Sequence, residues 1–192
     1  MKNVTIVYSH PNKKSFNNQI LNTIYNANKN EKEINLNILD LYEEGFNPYL
    51  NDKDLELYSK GETTDEKVKK YQDIISKTDI IIFIFPIWWN STPAMIKGFE
   101  EKVFIKDFAF KPSSKGLLPL LNHIEKGYVI TTSGQSTETL KTQRGNYIQD
   151  VFIKHTLNVV GIENTKWINF DKIYRKKETQ FTEFLNNIKD LI

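Results

Sequence analysis

The chain has 192 residues, the length of one domain that buries about 70% of its unfolded surface. Its 26 basic and 24 acidic residues leave a net charge of +2 and are mixed along the chain, which argues against a nucleic-acid or membrane-binding surface and for small-molecule partners. The absence of cysteine excludes disulfides, zinc–thiolate sites, thiol nucleophiles and the thiol-based phosphatase chemistry that a five-strand α/β chain otherwise invites.

The N-terminus, MKNVTIVYSH, enters a strand directly, with no long apolar region or small-residue cleavage site. The longest apolar run, Ile80 to Trp89, is broken by Pro86 and is too short to span a bilayer, so a cytoplasmic protein without membrane insertion is expected. Asn3 to Tyr8 reads as a short apolar strand that ends in the turn residues Ser9, His10, Pro11 and Asn12. Ser15 then suits the N-cap of a helix with Phe16, Ile20, Leu21, Ile24 and Ala27 on one stripe. The free amides of Ser15, Phe16 and Asn17, the helix dipole, and the donors His10 and Lys14 together suit a phosphate dianion. Taken alone, His10 reads as a turn-capping residue. The loop has no glycine and is neither a dinucleotide fingerprint nor a P-loop.

Ile34 to Leu41 alternates apolar and polar, as a strand near a sheet edge does. The stretch 40–65 follows as a long connection with little periodicity, and Asp65 to Lys77 is a helix with Val68, Tyr71, Ile74 and Ile75 inward. Ile80 to Phe85 is unbroken β-branched and aromatic sequence, expected to be a strand covered on both faces. Pro86 ends it and holds Ile87, Trp88, Trp89 and Asn90 at the strand's carboxyl end. Ser91 or Thr92 is the expected cap, and Pro93 the first turn, of a helix running to Phe104. Neighbouring residues of an extended segment point to opposite sides, so the two indoles do not fit easily into one core layer. We read them as a wall for a flat ring, with ordinary core packing as the alternative.

Asp107 to Phe110 leads into a loop through Pro112, Gly116 and Pro119. Gly127 to Thr132 is a fourth strand, ending in Thr131, Thr132, Ser133 and Gly134, a turn that needs no ligand to explain it. A polar lip, 135–146, precedes a helix over Tyr147 to Val160 with Tyr147, Val151, Phe152 and Val159 near one face, His155 structural beside them and Gly161 as C-terminal cap. Thr165 to Phe170 is a fifth strand, and a last helix covers Glu178 to Leu191. Five strands alternating with helices imply an α/β, doubly wound parallel sheet, order 2-1-3-4-5, with helices on both faces. The candidate segments after strands 1, 3 and 4 then converge on one side.

The stretch FPIWWNSTPAMIKGFEEKVF resembles the NAD(P)H:quinone oxidoreductases of the flavodoxin-like fold, of the general stress protein 14 or modulator of drug activity B type. In these a Phe-Pro-x-x-Trp turn is followed by Pro-Ala-x-x-Lys-Gly-aromatic and an acidic-basic-Val-aromatic run, and about twenty consecutive positions agree in type. HPNKKSFNN resembles the family's first loop, His-x-x-x-x-Ser-Phe-Asn, where the flavin phosphate or pyrophosphate lies. Thr131 to Gly134 stands where the family has Thr-Thr-Gly-Gly, with backbone amides near the N1 and O2 side of the flavin; Ser133 replaces the first glycine.

The resemblance implies one flavin-binding domain over residues 1–192, taking hydride from NAD(P)H and passing two electrons to a quinone-like acceptor. It implies FMN, with FAD as the alternative, and a homodimer to which the FNPYL segment, Phe46 to Leu50, contributes. The cofactor-binding residues it implies are His10, Lys14, Ser15, Phe16, Asn17, Pro86, Ile87, Trp88, Trp89, Asn90, Thr131, Thr132, Ser133 and Gly134, with no metal. Lys106-Asp107 stands in place of a usual glycine. Thr139, Lys141 and Arg144 stand near where many eukaryotic members have a Tyr and a His, so no catalytic side chain is assigned. Two other roles remain open: a one-electron carrier of the flavodoxin type, for which the phosphate loop and acidic docking face are lacking, and a regulatory subunit of a potassium efflux transporter.

Overall fold

The unbroken apolar run forms β3 (Ile80–Pro86), whose residues Ile81 to Phe85 have no solvent exposure. It is the middle strand of a five-stranded parallel sheet built with β1 (Lys2–Tyr8), β2 (Ile34–Asp40), β6 (Lys126–Thr132) and β7 (Thr165–Phe170). The order is β2-β1-β3-β6-β7, the expected 2-1-3-4-5 once two extra strands between the third and fourth are counted. The structure is a computed structural model and describes residues 1–192.

The pleat sends alternate residues of β3 to opposite layers. Ile82 and Ile84 pack with Phe16, Ile20 and Ile24 of α1 (Phe16–Asn28) and Ile188 of α7 (Glu178–Ile188). Ile81, Phe83 and Phe85 pack with Tyr71 of α3 (Glu66–Ile75), Phe99 of α4 (Ala94–Val103) and Phe152 of a π-helix (Ile148–Leu157). Both faces are covered, as a parallel sheet requires.

Several local expectations are corrected. The long connection contains α2 (Asp52–Tyr58), started by a capping box between Asn51 and Asp54. The loop after Phe110 is an antiparallel hairpin, β4 (Phe110–Ser113) and β5 (Gly116–Pro119). Asp107 occupies the left-handed region at φ 64°, so an aspartate keeps the conformation for which a glycine is usual. Neither Ser91 nor Thr92 caps α4: Pro93 is its N-cap without a side-chain bond, and the buried Thr92 hydroxyl has no partner. The expected helix over 147–160 is π-helical to Leu157 and ends in α6 (Asn158–Val160) before Gly161, whose φ is 107°. The wider π turn rotates Val151 outward to 40% exposure and leaves His155 exposed rather than structural.

The connection 41–65 is held to α4 by two contacts. The buried Lys102 ammonium sits 2.9 Å from the Asp65 carboxylate and 3.5 Å from that of Asp54. Gly98 lies flat against Pro48, where an added Cβ would stand 2.0 Å from the Pro48 carbonyl oxygen. No helix is long and apolar enough to cross a membrane.

Gly98→Ala gains about 1 kcal/mol of helix propensity in principle. Collision with immobile Pro48 backbone outweighs it, and urea denaturation is expected to show a net loss of about 2 kcal/mol.

Candidate functional site

Parallel strands place all their carboxyl ends on one side, and here the register aligns Tyr8 with Ile84 and Pro86 with Thr132. The loops after β1, β3 and β6 therefore leave the sheet together. Two cavities lie among them, of about 400 and 270 Å³, sharing Ile87, Ser133 and Gly134 in their walls. Their sizes are those of sites that hold a small molecule.

The smaller cavity is walled by His10, Asn12, Ser15, Phe16 and Asn17 on the β1 side, and by Pro86, Trp88 and Thr132 opposite. Ser15 caps α1, its Oγ accepting from the Asn18 N–H at 3.1 Å, and the N–H groups of Phe16 and Asn17 meet no acceptor in the chain. His10 Nδ1 accepts from the Asn12 N–H at 3.0 Å, and burial pushes the imidazole below its ordinary pKa, so it is neutral with Nε2 as donor. The buried Asn17 amide donates to Thr132 Oγ1 at 2.9 Å, across the tip of β3, while its Oδ1 has no partner.

The larger cavity is walled by Ile87, Trp89, Asn90, Ser133, Gly134, Gln135, Leu140 and Arg144. Trp88 and Ser91 exchange backbone bonds of 3.2 and 3.0 Å, closing a tight turn in which Trp89 and Asn90 have φ 51° and 62°. Positive φ at both central positions is the pattern of a type I′ turn, tolerated by Asn and strained for Trp. The expected extended arrangement of the indoles is therefore corrected. Trp88 is 43% exposed and sits edge-on to His10, 6.1 Å between centroids, while Trp89 is 97% exposed. The two indoles border different cavities. The N–H groups of Trp89, Asn90, Gly134 and Gln135 have no acceptor in the chain, so four backbone donors border this space.

Two expected residues stand outside both cavities. Lys14 is exposed, its N–H bonded to Asn12 Oδ1, and Thr131 is buried within the sheet, its hydroxyl bonded to Asn169 and Trp167. Thr131 points away because it immediately precedes Thr132 in a pleated strand. Of the polar lip only Gln135, Leu140 and Arg144 contribute. Thr139 is engaged with Ser136 in the N-cap of α5 (Thr137–Gln143), and the Lys141 ammonium lies 5.6 Å from the Trp167 ring centre.

Sequence reasoning missed Ile173 and Tyr174. They reach the smaller cavity because the turn after β7 folds back, with Ile173 N–H donating to Ser133 O at 3.0 Å and Lys172 at φ 48°. A Cβ on Gly134 would touch the Tyr174 ring at 3.2 Å. The strand order was the available signal, since it puts the β7 tip beside that of β6.

This sheet order, with a cleft of unpaired donors at the tips of its central strands, defines a protein of the flavodoxin-like class. Residues 2–192 match the family described as the flavodoxin-like fold, and the chain belongs to that family. It is 29% identical over 173 residues to an uncharacterized NAD(P)H oxidoreductase of Haemophilus influenzae, covering 90% of this chain and 85% of that one. It is 26% identical over 138 residues to an FMN-dependent NADH:quinone oxidoreductase of Clostridium beijerinckii, covering 70% and 67%. Among solved structures it is similar to Smu.1420 from Streptococcus mutans, with a TM-score of 0.83, 30% identity and 98% and 97% coverage.

A third cavity, of about 200 Å³, lies on α4 away from the strand tips and holds the buried Glu100 carboxyl, whose Oε1 has no hydrogen-bond partner. Burial lifts Glu100 from the ordinary 4.5 to about 7, against the pull of the Lys97 ammonium 3.2 Å away. Between those two pH values the unfolded chain has lost this proton and the folded chain has kept it, so stability falls as pH rises. The expected loss is about 3 kcal/mol across the window. Glu100→Gln is expected to match the parent below it and to exceed the parent above it, as read by urea midpoints against pH.

Proposed function

We propose that the chain is a flavin-dependent NAD(P)H oxidoreductase that delivers two electrons to a quinone. One observation supports it above the rest: the cleft is bordered by unpaired donors at both ends, with an unpaired buried acceptor between flanking strand tips. The residues fit a phosphate-tailed ring. A bound flavin supplies the redox chemistry, accepting a hydride equivalent from NAD(P)H and passing the electron pair on.

The Phe16 and Asn17 amides at the positive end of α1, with Ser15 and neutral His10, would hold the phosphate. Asn17 Oδ1 needs a donor, which a phosphate lacks and a sugar-alcohol hydroxyl has. The Trp89, Asn90, Gly134 and Gln135 amides would donate to the carbonyl edge of the ring and favour its electron-rich form. Ile87 and Leu140 supply apolar wall. Pro86, Trp88, Thr132 and Ser133 complete the surface between phosphate and ring, whereas Lys14 and Thr131 take no part.

FMN is the reading we adopt, following the FMN-dependent relative, and a cytoplasmic location suits a consumer of NAD(P)H. A homodimer belongs to the same reading. Leu117 and Leu118 of the hairpin, 49% and 52% exposed, support it as apolar surface available for a second copy.

The protein purified as expressed is expected to show flavin absorption in the visible, to release a molecule of the mass of FMN on denaturation, and to oxidise NADH or NADPH faster when menadione is added. A colourless protein that takes up no added flavin would count against the assignment.

A further inference from the structure

Of all the Lys, Arg, Asp and Glu side chains, only Arg144 borders either cavity, so no carboxylate faces them. Its guanidinium pairs with no acid and makes no hydrogen bond within the chain. Its neighbours are engaged: the Lys141 ammonium lies over Trp167, and Asp171, in the turn after β7, is taken by Thr137 and Lys176. The backbone places Arg144 deliberately. It ends α5, Gly145 and Asn146 follow at φ 77° and 49°, and the Asn146 N–H returns to Leu140 O at 3.0 Å, so the residue is turned to the cavity wall beside Leu140.

Trp89 borders the same cavity, almost wholly exposed on a strained backbone. An indole held in water at such a cost is suited to a flat apolar partner. An unpaired, solvent-exposed cation, an exposed aromatic face and the lack of any acid describe one class of ligand. Resting on the reductase reading, we propose that the electron acceptor is an anionic aromatic, a quinone bearing a carboxylate or sulfonate, whose anion is bound by Arg144.

The dinucleotide is the poorer match. Its charges lie on the pyrophosphate and, in NADPH, on the distal ribose, away from the nicotinamide it presents, whereas a quinone carries its substituents on the reacting ring. The planar fork of arginine binds two oxygens of one carboxylate or sulfonate together. The balance of the reaction is untouched: NAD(P)H, one proton and the quinone give NAD(P)⁺ and the hydroquinone, and the anionic substituent stays attached.

Menadione and 1,4-naphthoquinone-2-sulfonate share a ring and differ in the charge of one substituent. Arg144→Gln is expected to lower the ratio of kcat/KM for the sulfonate over that for menadione about tenfold relative to the parent, with Arg144→Lys in between. Added salt is expected to lower the parent's kcat/KM for the sulfonate alone. Naphthalene-2-sulfonate, which cannot be reduced, is expected to quench tryptophan fluorescence with a Kd raised about tenfold by Arg144→Gln. An unchanged ratio and an unchanged Kd overturn the assignment, as does a raised KM for NADH and NADPH with the quinone ratio unmoved. If the parent holds flavin and reduces menadione, such a result spares the reductase reading. A parent that does neither sinks that reading, and the naphthalene-sulfonate titration still decides whether Arg144 binds an aromatic anion.

Discussion

The fold depends on one strand being dry on both faces. Because β3 has no exposed side chain between Ile81 and Phe85, it must lie between two others with a helical layer above and below. That places β1 and β6 about 10 Å apart, one strand spacing on each side. The β1 loop and the β6 tip can then be joined only over the end of β3, which is what the Asn17–Thr132 bond does. Pro86 offers no N–H to the sheet, but the ladder to β6 runs one residue further, Ile87 N–H donating to Thr132 O at 2.8 Å, before the chain turns upward between them. The cleft is the gap that remains between three loops released at one level.

The chemistry of that gap contrasts with the rest of the molecule. Elsewhere charge is matched by charge: Lys102 is enclosed between two aspartates, and Lys13 bridges Asp40 and Glu43. At the strand tips, Arg144 apart, the polar groups are uncharged, and many are backbone N–H groups with no acceptor inside the fold. Among them Asn17 Oδ1 is buried without a partner, which is costly, whereas the Trp89, Gly134 and Gln135 amides belong to exposed residues and stand open to solvent. The strained turn at Trp89 and Asn90 belongs to the same pattern, since it is fixed by reciprocal bonds between Trp88 and Ser91 rather than by its own preference.

Much of this was legible from residues alone, for local reasons. β3 was readable because no soluble surface accepts six consecutive large apolar residues; the Ser15 cap and the Gly161 terminus were readable because few residue types serve those positions. α2 was hidden because its residues, DKDLELY, bury nothing and so carry no apolar stripe. The hairpin at Phe110 to Pro119 was hidden by its two prolines; the helix over Tyr147 to Val160 was read, but not its π geometry, whose wider turn departs from the 3.6-residue period.

Of the candidate site, the loops after β1, β3 and β6 were determined by the sequence itself, since strand ends and turn residues are properties of short stretches, whereas the contribution of the turn after β7 was not. The tertiary structure alone decided which side chains in those loops face the cleft. It turned Thr131 into the sheet and Thr132 toward Asn17, sent the two indoles to different cavities, and brought Tyr174 back from the far end of the chain. It also left Arg144 facing the larger cavity while engaging Lys141 elsewhere. Direction of this kind depends on backbone angles and on neighbours distant in the chain, and neither is written in any one segment.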